Sequence, residues 1–413
     1  MDTPRLTFNK SKAIDSREVL LKDITTFIKN GYTYKSDGDR KKRYKVTRIE
    51  SISSGEININ KLGSTDTIDE SFLLKDGDIL YSHINSLPYI GNCALYNNEL
   101  GPIYHGMNLL NIRPNHQVIP SYLLYVLKSS IGKKYAFENA QRAVSQCSIS
   151  ASIVSSMKIP LPSLSEQKKI ADFLSTYDEK IRLQRERVKT LERRKKGLLQ
   201  KFFRQEIRFK ADDGIEFPAW TLKALGDIFS FKNGLNASRD SFENGNIPCI
   251  GVYDICRCAP ITENAIRGYV SVDSNIKESF RVNFGDVLFQ RSSETLQDVG
   301  HACVYIGKES VVYNGFVIKG TPKKQRQYIP EFIHWMLQSD FVRRQAIAFG
   351  AGAQHYNIGQ ESISSIIGYF PCVAEQKKIA KLFTAVDDQI NIEKERLSTM
   401  ETIKKGLLQG LFC

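Results

Sequence analysis

The sequence predicts an α+β protein: two similar globular domains separated by two long antiparallel coiled-coil helices and related by a pseudo-two-fold repeat. Three observations carry this expectation. The chain matches itself at an offset of about 209 residues, the best-matched part of each copy has an apolar seam of heptad spacing, and the remainder mixes strand-like runs with proline-started helical runs.

The repeat is sharpest where Glu166-Gln-Lys-Lys-Ile-Ala171 falls on Glu375-Gln-Lys-Lys-Ile-Ala380, and it runs without a gap to Phe203 and Phe412 with about half the positions identical. Upstream it is fainter. Lys29-Asn30-Gly31 meets Lys232-Asn233-Gly234, Gly77-Asp78-Ile79-Leu80 meets Gly285-Asp286-Val287-Leu288, and Tyr104-His105-Gly106 meets Tyr313-Asn314-Gly315. One unit used twice sets the expected boundaries: a domain over 1–165, a helix over 166–204, a linker over 205–219, a second domain over 220–373 and a second helix over 374–413.

In the first domain, Asp78-Ile-Leu-Tyr81 follows a glycine turn and reads as a strand, and Tyr122 to Leu127 reads as a helix started by Pro120. In the second, Asp286-Val-Leu-Phe289 and Ala302 to Ile306 read as strands, and Phe332 to Leu337 as a helix after Pro330. The helical segments place Ile170, Leu174, Tyr177, Ile181, Val188, Leu191, Leu198 and Phe202 on one seam, and Ile379, Phe383, Val386, Ile390, Leu397, Met400, Leu407 and Leu411 on the other. Gln184, Lys195, Glu393 and Lys404 fill the remaining seam positions, either as register-fixing polar residues or as tolerated ones. About 38 residues at 1.5 Å each make roughly 57 Å of helix, too long to bury its seam on a small domain, so the two copies are expected to pack on each other. Pro160 and Pro162, then Ser163 to Glu166 as a capping box, announce the first helix, and Pro371 announces the second.

At 413 residues, two cores are expected. The composition is 41% hydrophobic and 25% charged, no apolar run is long enough to cross a bilayer, and the segment MDTPRLTFNKSK lacks a secretory apolar region, so a cytoplasmic location without membrane contact is expected. Eight scattered cysteines then read as reduced thiols; Cys249, Cys256 and Cys258 lack zinc-ligand spacing, and no metal is expected. The net charge of +13 favours a polyanionic partner.

The pattern Pro160-x-Pro162-x-x-x-Glu166-Gln-Lys-Lys-Ile-Ala171, followed by Asp178 and Ile181 and closing on Lys195-Lys-Gly-Leu-Leu-Gln200, resembles the helical region of specificity (S) subunits of type I restriction-modification systems. The Gly-Asp-Ile-Leu and Gly-Asp-Val-Leu strands are similar to those of the same family, and the resemblance covers nearly the whole chain. It implies two target-recognition domains, each reading one half of a bipartite asymmetric site on double-stranded DNA, and a coiled coil that sets the spacer. It also implies two modification (methyltransferase) subunits docked on that scaffold and restriction (endonuclease/translocase) subunits further out. S-adenosylmethionine and ATP with Mg are then expected on the partners and no cofactor on this chain. Two departures stand out: Leu21-Lys-Asp-Ile24 where the second copy has Leu225-Gly-Asp-Ile228, and Cys372, which leaves Pro162 without a strict counterpart.

No catalytic constellation emerges. Leu87-Pro88-Tyr89 lacks the tandem proline of an amino-methyltransferase motif, Gly350-Ala-Gly352 does not open a phosphate-binding helix, and Gly307-Lys308 lacks the upstream glycine of a nucleotide loop. A non-catalytic DNA-recognition subunit is therefore expected, ahead of a coiled-coil scaffold with a basic surface and no sequence-specific DNA role, and ahead of an enzyme. Candidate DNA contacts are the polar positions after the repeated Gly-Asp strand, Ser82, His83 and Asn85 in one copy and Gln290, Arg291 and Ser293 in the other. Gln146, at the end of the stretch from Gln141, and Gln354, His355 and Tyr356 form a second matched pair. Asn233, Asn236 and Arg239 lie in a turn-like stretch, and the run Arg40, Lys41, Lys42 and Arg43 suits phosphate.

Overall fold

The computed structural model describes residues 17–33, 43–143, 146–238, 241–242, 245–257, 259–324 and 327–412. The chain forms two compact units, one of Met1–Arg185 with Glu395–Cys413 and one of Glu186–Lys394. Each unit contains a mixed α/β domain and a stretch of both long helices.

In the first unit a four-stranded antiparallel sheet has the order Thr25–Asn30, Leu109–Pro114, Ile79–Ser82, Cys93–Leu95. Alternation sends Ile79 and Tyr81 to one face, where they pack with the helix Pro120–Lys128, and Leu80 to the other, where it meets Ile52, Leu74 and Leu109. Pro120 occupies the first turn of its helix, where its missing N–H costs nothing. The strand Arg17–Leu20 pairs antiparallel with Lys158–Leu161, which leads directly into the first long helix.

The second unit repeats this plan with the order Phe229–Asn233, Val317–Pro322, Val287–Gln290, Ala302–Val304. Pro330–Leu337 is the matching proline-started helix, and Thr221–Ala224 pairs with Ile367–Phe370. A second sheet, Gly268–Val270, Ile247–Ile250 and Val312–Tyr313, has cores of its own and corresponds to the first unit's pair Tyr44–Val46 with Gly63–Thr65 and its parallel bridge from Val46 to Tyr104.

The Gly-Asp pair has a physical reason in both copies. Gly77 and Gly285 adopt φ of +87° and +88°, a conformation costly for other residues. Asp78 and Asp286 then close the turn by accepting from the backbone N–H of Lys75 and Asn283, each at 2.9 Å. Each buried carboxylate also has a cation: Arg113 grips Asp78 at 2.6 and 2.7 Å, and Lys319 lies 3.5 Å from Asp286. Burial pushes the Asp286 carboxyl upward and Lys319 opposes that shift.

The long helices span Leu164–Phe203 and Val373–Phe412, 40 residues each. Within each unit they run antiparallel. In the first, Asp178 pairs with Lys404, Arg185 with Glu401 at 2.5 Å, and Tyr122 meets Phe412 edge-on at 5.7 Å. In the second, Lys195 pairs with Asp387, Glu192 with Lys394 at 2.7 Å, and Phe202 meets Phe383 edge-on at 5.7 Å. Ile170, Leu174, Ile181, Val188, Ile379, Phe383 and Ile390 are buried; Leu191, Leu198, Leu397, Met400 and Leu407 are half-buried, as are Gln184, Lys195 and Lys404, while Glu393 is buried beside Arg187 at 2.9 Å. The helix ends enter the domain cores: Leu411 and Phe412 join the first unit's core, and Leu199, Phe202 and Phe203 the second's.

Ser163 accepts from the Glu166 N–H at 3.3 Å, one arm of the expected capping box. The expectation that Pro162 has no counterpart is corrected by the structure. Gln167 Nε2 donates to the Pro162 carbonyl and Gln376 Nε2 to the Pro371 carbonyl, each at 2.9 Å across five residues, so Pro162 and Pro371 hold the same place. The comparison by Pro-x-Pro spacing failed because Tyr369 stands where Pro160 does.

Candidate nucleic-acid interface

In both units the chain leaves the central Gly-Asp strand and immediately joins a short polar ribbon. In the first, Ile84–Asn85 pairs antiparallel with Cys147–Ser148, which pairs in turn with Gln141–Arg142. A bond of 2.9 Å from the Ala143 N–H to the Gln146 carbonyl closes the turn between the outer strands. Cys147 thus stands between Asn85 on one edge of the ribbon and Arg142 on the other, and Gln141, Arg142 and Gln146 are exposed. The Arg142 guanidinium lies 5.3 Å from the Phe137 ring, which gives the cation a fixed seat at the edge.

The second unit builds the same ribbon from different residues. Ser292–Ser293 pairs with Tyr356–Asn357, and Asn357 exchanges backbone hydrogen bonds of 2.8 and 3.0 Å with Ala351. Gln354 and His355 are exposed on the turn and Tyr356 is half-buried. Arg291 is clamped by its backbone, its N–H donating to the Phe316 carbonyl at 2.8 Å and its carbonyl accepting from Ile358 at 3.0 Å. Asn236, exposed, lies against Gly315 in the same loop, so Asn236, Arg291 and the Tyr356 strand share one neighbourhood. Asn233 is exposed at the end of its own strand.

Several candidates face inward instead. Ser82 is fully buried and accepts from Asn85 Nδ2 at 3.0 Å; Gln290 is buried, donating to the Ser292 carbonyl at 2.9 Å and accepting from the Cys256 thiol at 3.3 Å. These two set the position of the ribbon and are out of reach of a base edge. His83 is also buried; its carbonyl accepts from Ile149, and burial pushes its imidazole down to about 4, so it is neutral near pH 7. Ser293 is buried with its hydroxyl accepting from the Thr295 N–H at 3.2 Å. Arg43 is exposed over the Tyr44 ring at 5.0 Å, just before a separate strand pair that starts at Tyr44. Arg40, Lys41, Lys42 and Arg239 lie outside the described residues.

Asn357 and Phe316, the last 63% exposed next to Arg291, escaped the sequence reading, whereas Arg142 fell inside the stretch Gln141 to Gln146 without being singled out. Two-residue strands carry no periodic signal; only the polar residues flanking the turn near Gln146 and Gln354 hinted at them.

A domain repeated around such ribbons invites comparison with known proteins. Residues 14–193 and 219–402 match the family described as "Type I restriction modification DNA specificity domain". The chain belongs to this family. It is a type I specificity subunit with two recognition domains, similar to the putative MjaX specificity subunit of Methanocaldococcus jannaschii, with 32% identity over 95% of this chain and 91% of that one. The MjaIX specificity subunit of the same organism is 25% identical over 87% of this chain and 82% of its own length. The S subunit from M. genitalium has the same fold, with a TM-score of 0.57, 16% identity and coverage of 100% and 99%. A chain from a structure on complex assembly and conformational transition of the type I R-M system superposes with a TM-score of 0.59 at 17% identity, covering 95% and 96%.

For a specificity subunit the arrangement has a clear chemical use. Amide, guanidinium and hydroxyl groups on a backbone-braced ribbon are the donors and acceptors that base edges and phosphates require. Among the described residues no group of three or more His, Cys, Asp or Glu side chains is placed to hold a metal ion, and no helix is long and apolar enough to cross a membrane.

Proposed function

We propose that each recognition domain of this specificity subunit reads one half of a bipartite double-stranded DNA target through its polar ribbon. The observation that carries the reading is the twin ribbons: one framework in both units, furnished with Asn85, Gln141, Arg142 and Gln146 in one and with Arg291, Gln354, His355, Tyr356 and Asn357 in the other. Equal frameworks with unequal polar groups suit two different half-sites.

The paired long helices act as the spacer and as two equivalent seats for methyltransferase subunits, with restriction subunits joining that assembly. S-adenosylmethionine and ATP with Mg belong to those partners. The chain itself recognises DNA without catalysing a reaction, and it works in the cytoplasm. Footprinting of the subunit with purified methyltransferase subunits tests the reading. Two short protected blocks separated by an unprotected spacer are expected; one contiguous block would overturn it. The affinity falls steeply with salt, as counterion release demands.

A further inference from the structure

Phe316 is 63% exposed, more than any other aromatic side chain among the described residues, and its backbone holds it outward. Its N–H donates to Asn314 Oδ1 at 3.1 Å, and its carbonyl accepts from the Arg291 N–H at 2.8 Å. The Val317 N–H donates to the Asn314 carbonyl at 3.0 Å, and the Asn314 N–H to the Ile250 carbonyl at 3.0 Å. Gly315 allows Asn236 to approach: a methyl group on that glycine would stand 2.0 Å from Asn236 Oδ1. An apolar ring kept in water by a fully bonded turn forgoes the stabilisation of burial.

A single exposed apolar side chain is ordinary on a protein surface, so its surroundings decide. Phe316 bonds to Arg291, the residue between buried Gln290 and the ribbon strand Ser292–Ser293. A second exposed aromatic starts from the same place. Ile250, whose carbonyl holds Asn314, leads into the helix Val252–Cys256, where Tyr253 is 56% exposed with the Arg267 guanidinium 4.2 Å from its ring centroid. The Cys256 thiol of that helix donates to Gln290 at 3.3 Å. Aromatic rings interleaved with arginines and an amide are the groups that stack on bases and meet phosphates.

The first unit lacks this ring. Ser82 pairs with Leu109 as Gln290 pairs with Val317, so the matching turn runs from Gly106 to Leu109 and contains Met107 and Asn108. Both are half-buried, and Asn108 takes a φ of +65°. We propose that Phe316 is an aromatic wedge that the second unit inserts at a base step of its half-site, beside the bases met by the ribbon. That half-site is then read partly by how readily the step unstacks, which favours a pyrimidine–purine step. The wedge rests on the assignment of the ribbons to DNA, and it belongs to one half-site only.

The test uses the full chain assembled with purified methyltransferase subunits, on the duplex that this complex selects from a randomised pool. Base-loss interference, in which each nucleoside is removed in turn, reads where unstacking limits binding. For the parent chain, loss of a base at one step of one half-site should leave binding unchanged or tighten it, while losses elsewhere in either half-site weaken it. Phe316→Ala should bind the intact duplex about tenfold more weakly, lose that exception and relax the preference at that step on reselection, whereas Phe316→Trp should keep all three features. Because the ring is exposed, both variants should melt with the parent; a lower melting temperature for Phe316→Ala would make the ring a packing residue and refute the wedge. A Phe316→Ala chain with parental affinity and an unchanged interference pattern also refutes it, and two separated footprint blocks would then leave the ribbon reading standing. One contiguous block from the parent chain removes both. If Phe316→Ala lowers only the affinity for methyltransferase subunits measured without DNA, the ring serves a protein partner and the wedge is refuted.

Discussion

Lys195 forms an ion pair with Asp387 between the long helices of the second unit, and the ammonium also lies 4.5 Å from the centroid of the Trp335 ring. Lys404 pairs with Asp178 in the first unit, the counterpart at the repeat offset. Both pairs are about four-fifths buried, so each polar seam position has a specific partner rather than bulk solvent. Such a pair adds little net stability, but breaking it exposes its cost. Lys195→Glu is expected to destabilise the chain by about 2–4 kcal/mol in urea unfolding. Adding Asp387→Lys recovers the ion pair but not the contact with Trp335, so rescue is partial. Full rescue, or none, would show that the pair does not act as the geometry indicates.

The ribbons carry the specificity prediction. Replacing Gln354, His355 and Asn357 with alanine should relax preference at one half-site and leave the other half-site intact. A lost bidentate base contact costs roughly 1–3 kcal/mol in discrimination. Arg142→Ala should reduce affinity through either a base or a phosphate; competition binding against randomised half-sites distinguishes the two, because loss of a phosphate contact weakens all sequences alike. Changes spread over both half-sites would contradict the assignment of one ribbon to one half-site.

Two buried histidines predict a pH dependence of the first unit. Burial pushes His83 and His105 each down to about 4, below their ordinary 6.5. The unfolded chain therefore binds more protons between these values, and stability rises with pH there. The stabilisation is full above about pH 6.5 and disappears as pH falls to about 4, with each histidine contributing up to about 3 kcal/mol. The second copy places Asn314 where the first has His105, which makes His105→Asn the natural variant. Urea titrations from pH 7.5 to 4 should show a flatter slope for that variant than for the parent chain.

The long helices were legible because a seam must repeat every 3.5 residues to stay buried, and the ungapped match of Glu166–Phe203 with Glu375–Phe412, about half of it identical, gave two readings of it. The Gly-Asp strands were legible for a similar reason: Gly77 and Gly285 need a positive φ that leaves a recognisable residue type. The DNA edge was legible only as pairs of stretches. That Ser82 and Gln290 turn inward depends on where a four-residue strand ends, and a shift of one residue exchanges inside for outside. Nothing local marked Phe316, whose exposure follows from a loop held by Arg291.

The glutamine of Glu-Gln-Lys-Lys gives the sharpest symmetric prediction. Gln167 and Gln376 are each 1% exposed, and each ties a helix start to the backbone before a proline-started helix and to a proline carbonyl. Alanine at either position would strand a part-buried N–H at Ile119 or Ile329 and a buried carbonyl at Pro162 or Pro371. Leaving such groups unsatisfied costs about 1–3 kcal/mol each, so Gln167→Ala and Gln376→Ala are each expected to lose roughly 2–4 kcal/mol. Glutamate is no remedy, since it keeps the acceptor, loses the donor and buries a charge. Gln167→Glu should therefore be at least as harmful as alanine near neutral pH and recover as the carboxyl protonates on acidification. The two glutamines share these bonds, and Gln167 Nε2 also donates to the Gln117 carbonyl at 3.2 Å, so the loss at Gln167 should equal or somewhat exceed that at Gln376 in parallel unfolding measurements; a clearly larger loss at Gln376 would contradict the shared clamp.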